Sequence, residues 1–294
     1  MKSVTAKDNK GNNSSGFFYG MYVLSMLLFG TNGYLVSHIS LQSSQIVLVR
    51  TLIGGILLSA MVLLQNDFTF SRIKPELRNL LAGGIALGLN WVALFAAYRM
   101  LNVSLATLIY YAGPMLVLLF SPWLFREALT KRKLTAIIIV AVGLLCITGS
   151  IAAGKLSMAG LVTAVGSALF YAALIVFNKR IKNTGGLQTA SIELDVAFVV
   201  VLLYVLFTSG FSYPLTTDIP YLLTIGLLNT GLAYFLYFSS MQRLPAQSVA
   251  LISYIDPVSA LLFSAMLLNE NMTLLQIAGA VFIIGGAILG ELGD

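Results

Sequence analysis

The chain alternates long apolar runs with short polar segments. After a polar stretch at residues 1–16, apolar runs occupy about 17–37, 43–65, 77–98, 103–125, 133–150, 156–178, 187–208, 219–240, 246–268 and 273–291. Each is close to the length a helix needs to cross about 30 Å of hydrocarbon at about 1.5 Å of rise per residue. The pattern predicts an all-α integral membrane protein with ten transmembrane helices. The first run is too long for a signal-peptide core and lacks a small-residue cleavage site, so it is expected to remain as a helix.

The runs also repeat. Leu108–Thr130 and Leu251–Thr273 lie 143 positions apart and agree at 11 of 23 positions. The Leu, Phe and Ser identities carry little weight in so apolar a chain. The pairs Tyr111/Tyr254, Pro114/Pro257, Glu127/Glu270 and Thr130/Thr273 in one register carry more. Two five-helix units are expected, 17–150 and 156–291. An odd number of spans per unit places the second upside down relative to the first, and inverted repeats suit carriers that alternate access between two sides. A duplicated bundle without transport is the plainer alternative.

Composition agrees with the pattern: 58% of the 294 residues are hydrophobic and 10% charged, which a soluble globule cannot accommodate. The net charge of +6 is topological information, because Lys and Arg cluster between the apolar runs. With the N-terminus inside, cytoplasmic segments hold 14 of these residues and outer segments hold two, Arg99 and Lys155. Both termini are therefore expected in the cytoplasm, with residues 1–16 as a disordered tail, in a multi-pass protein of the inner or plasma membrane. Nucleic acid is not an expected partner. Cys146 is the one cysteine and His38 the one histidine, which leaves no intrachain disulfide and no multi-histidine metal site, and no cofactor is expected.

Four charged residues fall inside apolar runs, away from their ends: Arg50, Glu193, Asp195 and Asp256. A charge at the bilayer centre costs at least about 2.5–3.5 kcal/mol, so such groups should be paired or face a watery cavity. Asp256 lies about ten residues into its run and directly before Pro257. That proline removes a backbone donor and strains the preceding turn, freeing carbonyls. Asp256 is accordingly a candidate for a substrate ammonium or a proton, with a carboxylate pinning two helices as the structural alternative. Arg50 is expected to snorkel to the headgroups or to pair with an acid of another helix. Glu193 stands 143 positions after Arg50, and since i and i+2 point to different sides of a helix, it rather than Asp195 is expected to face inward.

Asn90, Trp91, Leu94 and Tyr98 form a stripe at helical spacing. Tyr110 and Tyr111 precede Pro114, Ser253 and Tyr254 precede Asp256, and Tyr234 and Tyr237 share a face. Together with Asn32 and Tyr171 they predict a cavity with flat apolar walls and a few polar tips, suited to organic zwitterions or aromatic molecules. Pro114 and Pro257 are expected as helix bends or gate elements. Tyr19, Tyr22, Trp123, Tyr213 and Tyr221, near the ends of runs, are expected in interfacial belts. Gly143, Gly279, Gly286 and Gly290 are expected to let helices approach closely, and Glu127 and Glu270 to cap turns or contact gates.

Phe29-Gly-Thr-Asn-Gly33, Arg50, the paired Tyr-(two residues)-Pro segments, and Glu127 and Glu270 each three residues before a Thr resemble the EamA-type transporters of the drug/metabolite transporter superfamily, as do the Gly-rich runs around Gly143 and Gly285-Gly286. The resemblance covers nearly the whole chain after residue 16. It implies ten helices in two inverted five-helix repeats, a central cavity, and movement of small metabolites such as amino acids, often outward. The chain departs from that family in carrying Phe29 where Trp is frequent, and Asp256 where Glu often precedes the proline.

No Gly-(four residues)-Gly-Lys-Ser/Thr loop occurs, so ATP hydrolysis by the chain itself is not expected. The expected function is a secondary active or facilitative transporter of small organic metabolites, most plausibly an amino-acid exporter working by alternating access. Expected partners are a small-molecule substrate, membrane lipid and protons as a candidate coupling ion, in a monomer or weak dimer. The alternative from another class is a membrane-embedded enzyme acting on a lipid or headgroup, with Asp256, Glu193 and Asp195 as its acid/base groups. A channel is disfavoured, since inverted halves are not a ring of like pore helices.

Overall fold

The computed structural model describes residues 5–65, 70–101, 103–148, 157–208, 210–269 and 271–292. Glu270, one of the twin glutamates, lies outside the described residues. The helices are α1 (Thr5–Gly30), α2 (Asn32–Ser37), α3 (Ser43–Leu64), α4 (Leu77–Met100), α5 (Val103–Tyr110), α6 (Ala112–Phe125), α7 (Lys131–Thr148), α8 (Met158–Arg180), α9 (Gly186–Thr208), α10 (Ile219–Gly226), α11 (Ala233–Met241), α12 (Ala246–Ile252), α13 (Ile255–Leu267) and α14 (Leu274–Glu291), with short turns, unnumbered, at Phe70–Ile73, Lys74–Glu76 and Thr216–Asp218. No strand occurs among the described residues.

Eight helical stretches among the described residues are long and apolar enough to cross a membrane. The two remaining apolar runs differ in kind. The run expected at 17–37 is divided at Thr31 between α1 and α2, and α1 begins at Thr5, inside the segment expected as a tail. Helix α7 is 18 residues long and opens on Lys131, Arg132 and Lys133, which leaves a shorter uncharged length.

Three further apolar runs, each expected as one continuous helix, are interrupted. The run 103–125 breaks at Tyr111, between α5 and α6, and the run 246–268 breaks at Ser253 and Tyr254, between α12 and α13. Pro114 and Pro257 are each the third residue of the helix after the break. A proline in the first turn of a helix forfeits no internal hydrogen bond, because the first N–H groups have no acceptor there. The third interruption is a π-helical segment, Leu227–Leu232, between α10 and α11.

The helices are held by close backbone approach. Helices α4 and α8 pack along one another, as do α7 and α14, while α9 packs on both α3 and α4. A methyl group on Gly143 would stand 2.7 Å from the Gly279 carbonyl, and one on Gly279 would stand 2.7 Å from the Gly143 carbonyl. Gly286 meets Val140 and the Ala136 carbonyl, and Gly290 meets Leu251 and Ala136. Large apolar side chains such as Phe207 and Leu274 lie exposed on the outside, the surface a multi-pass membrane protein offers to lipid.

Candidate functional site

A cavity of about 530 Å³ opens between the helices, with walls from α1, α2, α3, α4, α5, α8, α11 and α13. Eleven of the residues expected at the cavity line it: Asn32, Asn90, Trp91, Leu94, Tyr98, Tyr110, Tyr111, Tyr171, Tyr234, Tyr237 and Asp256. Phe29, Arg50 and Thr107 join them.

The walls are a fitted set of rings. Tyr110 and Tyr171 stack with centroids 5.1 Å apart and 12° between planes. Tyr234 stands edge-on to Trp91 at 5.7 Å and packs on Phe29 at 4.9 Å. Such pairs hold flat apolar surfaces rigid at little entropic cost. Asn90 donates to the Ser167 carbonyl at 2.7 Å, tying α4 to α8 behind the aromatic wall.

Two charged groups face this space, and they come from opposite halves of the chain. Asp256 is in the first turn of α13, near the helix N-terminus, where the peptide dipoles favour negative charge. Its Oδ2 accepts a hydrogen bond from the Tyr111 hydroxyl at 3.2 Å. Arg50 is buried on α3, so it does not snorkel outward, and its guanidinium lies over Trp91, 5.6 Å from the ring centroid. Its Nε donates to Thr230 Oγ1 at 2.8 Å and its Nη2 to the Asn229 carbonyl at 3.4 Å. Both acceptors belong to the π segment, whose wider turn displaces backbone carbonyls from their regular partners. Thr230 in turn donates to the Ile225 carbonyl at 2.8 Å. Among the described residues Arg50 and Asp256 form no ion pair with each other or with any third group.

Asn229 also ties the π segment to the break after α1. Its Nδ2 donates to the Leu28 carbonyl at 2.6 Å, to Thr31 Oγ1 at 2.7 Å and to Asn32 Oδ1 at 3.2 Å. Asn32 is thus positioned by the other half of the chain while it lines the cavity.

Three expected residues stand off the cavity. Tyr254 is buried behind it and donates to the Tyr111 carbonyl at 2.8 Å. Ser253 bonds the Tyr22 hydroxyl at 2.8 Å, and Tyr22 stacks on Tyr237. Tyr22 is therefore core, not interfacial belt, whereas Trp123 and Tyr213 are exposed. Glu193 is fully buried beside Gly83, with both carboxylate oxygens accepting from Asn178 Nδ2 at 3.0 and 2.9 Å. Asp195 points elsewhere and accepts from Ser59 at 2.8 Å.

At one end of the fold, α12 is sealed against α6. Glu127 accepts the backbone N–H groups of Ala246 and Gln247 at 2.7 and 2.9 Å, and the Gln247 amide donates to Ser121 at 2.6 Å. Helix α12 thereby lies against α6, while α5, its counterpart in the repeat, makes no comparable packing with α13 among the described residues. Among the described residues no group of three or more His, Cys, Asp or Glu is placed to hold a metal ion.

The chain is 28% identical over 271 residues to an uncharacterized transporter of Bacillus subtilis (strain 168), YxxF, covering 91% of this chain and 87% of the relative. It is 27% identical over 241 residues to a probable amino-acid metabolite efflux pump of Salmonella typhimurium, covering 77% and 80%. Protein PecM of Dickeya dadantii is 25% identical over 277 residues, covering 92% and 90%. A solved crystal structure superposes with a TM-score of 0.82 at 19% identity, covering 94% of this chain and 97% of that one, so the fold is shared. Residues 16–149 and again 158–290 match the model of the EamA-like transporter family, and the chain belongs to that family.

Proposed function

We propose that this protein is a carrier of the cell membrane that moves a small organic metabolite, an amino acid or a close relative of one, by alternating access. The observation that carries the reading is the cavity of about 530 Å³ between the halves, walled by aromatic rings and holding Asp256. The volume suits a ligand of metabolite size. The relative named as a probable amino-acid metabolite efflux pump points to the same class. Substrate lies against Trp91 and Tyr111, with its cationic group at Asp256, and Pro114 and Pro257 mark the breaks about which each half bends.

The scaffold proposed is ten spans in two inverted repeats, 17–150 and 156–291, with both termini cytoplasmic. Internal contacts that recur after a shift of 143 positions support it. Gly143 against Gly279 becomes Gly286 against Ala136 when each residue is moved to its counterpart. Asp218 accepts from the Ser40 backbone and hydroxyl, and Glu76 accepts from the backbone N–H groups of Lys182 and Asn183, near the corresponding positions. Against that symmetry, α12 is closed on α6 while α5 is parted from α13, which is the inequality alternating access requires. The Lys and Arg distribution supports a cytoplasmic position for the sealed end.

The test is flux. Purified protein in liposomes preloaded with radiolabelled amino acids is expected to give saturable efflux for some members of a broad panel. Absence of saturable flux across the panel, with and without a pH gradient, overturns the reading.

A further inference from the structure

We infer that Arg50 is the anion-binding half of a two-charge site, taking a substrate carboxylate while Asp256 takes the ammonium of the same molecule. The inference rests on the carrier reading and narrows it. The cavity selects compounds that carry both charges, a zwitterion with an apolar or aromatic side chain, over acids or amines that carry one.

Arg50 is buried and lines the cavity. Guanidinium offers five N–H donors, and two of these bonds are taken, by Thr230 Oγ1 and the Asn229 carbonyl. Both of those acceptors are uncharged. A buried cation held only by neutral acceptors retains most of its Coulombic attraction for an anion. The one acid on the same cavity, Asp256, does not close on it: its Oδ2 is occupied by the Tyr111 hydroxyl.

Each charge also has its own anchor. Arg50 is fixed on α3 by the π segment from one side and by the face of Trp91 from another. Asp256 is fixed at the start of α13. Neither can swing to the other without releasing these partners, so an isolated substrate carboxylate and ammonium complete what the protein leaves open. The stacked pair of Tyr110 and Tyr171 and the rings of Phe29 and Tyr234 then face the substrate side chain.

The test is binding to the purified full-length protein by isothermal titration, with L-phenylalanine, phenethylamine and 3-phenylpropionate as matched probes and L-leucine, isoamylamine and 4-methylpentanoate as a second set. Within at least one set the amino acid is expected to bind roughly ten- to a hundredfold more tightly than either analogue, as one charge-assisted hydrogen-bonded contact predicts. Arg50→Gln is expected to erase the advantage over the amine without weakening amine binding, and Asp256→Asn to erase the advantage over the acid. Arg50→Lys is expected to recover part of the first loss. If Arg50→Gln weakens amine and amino acid alike, Arg50 is a structural tie between α3 and the π segment, and the inference is overturned. Equal affinity for an amino acid and its amine in both sets overturns it, and so does the absence of binding by all six probes. In those cases saturable efflux of any other panel member leaves the carrier reading standing. The selective binding pattern without efflux supports the two-charge site and overturns the carrier reading instead.

Discussion

The Tyr254 hydroxyl donates to the backbone carbonyl of Tyr111, its counterpart 143 positions earlier, at 2.8 Å, whereas the Tyr111 hydroxyl donates to Asp256 at 3.2 Å. Equivalent side chains in the two halves thus have unequal tasks. One joins the two helix breaks, and the other carries a polar tip into the cavity. Tyr254→Phe is expected to remove a buried hydrogen bond and cost about 1 kcal/mol of stability. Tyr111→Phe retains the carbonyl that Tyr254 uses, so it is expected to weaken substrate binding while leaving the thermal midpoint in detergent near that of the wild type. A larger drop in midpoint for Tyr111→Phe than for Tyr254→Phe would show the tasks to be reversed.

The fit between α3 and the π segment can be tested at Gly54. A methyl group there would stand 2.8 Å from Thr230 Cγ2, closer than real Cβ contacts come, and 3.1 Å from the Gly231 nitrogen, a tight contact. Gly54→Ala is expected to cost about 1–3 kcal/mol as an overpacked contact, and to disturb the Thr230 hydroxyl that holds Arg50. Gly166, in α8, has nothing within 4 Å of such a methyl. Gly166→Ala is therefore expected to leave stability unchanged or raise it by up to about 1 kcal/mol, as Gly to Ala does in a helix interior. Thermal midpoints of the two variants should move in opposite directions or differ clearly, and equal shifts would refute the packing argument.

The apolar runs and the repeat were legible because each has a signal in one dimension, span length for the first and a fixed register for the second. The cavity aromatics were legible for the same reason: Asn90, Trp91, Leu94 and Tyr98 share one helical face. The environment of Arg50 is not legible in the sequence, because it is supplied by Leu227–Leu232, 177 or more positions later, and nothing in Leu-Leu-Asn-Thr-Gly-Leu announces a π turn. Glu193 does face inward, as its register with Arg50 suggests, but it is buried against Asn178 and off the cavity. The counterpart of a cavity residue need not itself reach the cavity. Tyr22 was read from its nearness to the end of a run, yet burial there depends on Tyr237 and Ser253, more than 200 positions away.

The sealed end depends on Glu127. Its two oxygens accept from consecutive backbone N–H groups, Ala246 and Gln247, which a helix start leaves without internal partners. Glutamine keeps the shape but offers one acceptor oxygen and removes the charge. Glu127→Gln is expected to lower stability by about 1–2 kcal/mol, read as a fall in the thermal midpoint of a few degrees. It should also loosen α12 from α6, which amide hydrogen exchange over residues 246–252 would register as faster exchange. Unchanged exchange there would show that the seal is made elsewhere.

The two acids nearest the centre of the fold separate function from burial. Asp256 lines the cavity and receives one hydroxyl, while Glu193 stands off it and receives one amide. Replacing either carboxylate by its amide relieves the membrane interior of a group that is costly when charged. Stability is therefore expected to hold or rise in both Asp256→Asn and Glu193→Gln. Transport should divide them. Asp256→Asn removes the charge proposed to hold a substrate ammonium, and the loss of a charged hydrogen bond corresponds to roughly a tenfold or greater loss of affinity. Glu193→Gln keeps a partner for Asn178 and changes nothing on the cavity wall, so efflux from liposomes should match the wild type. A Glu193→Gln protein that is well folded by its thermal midpoint yet inactive in efflux would move the chemistry from the cavity to the interface between α8 and α9.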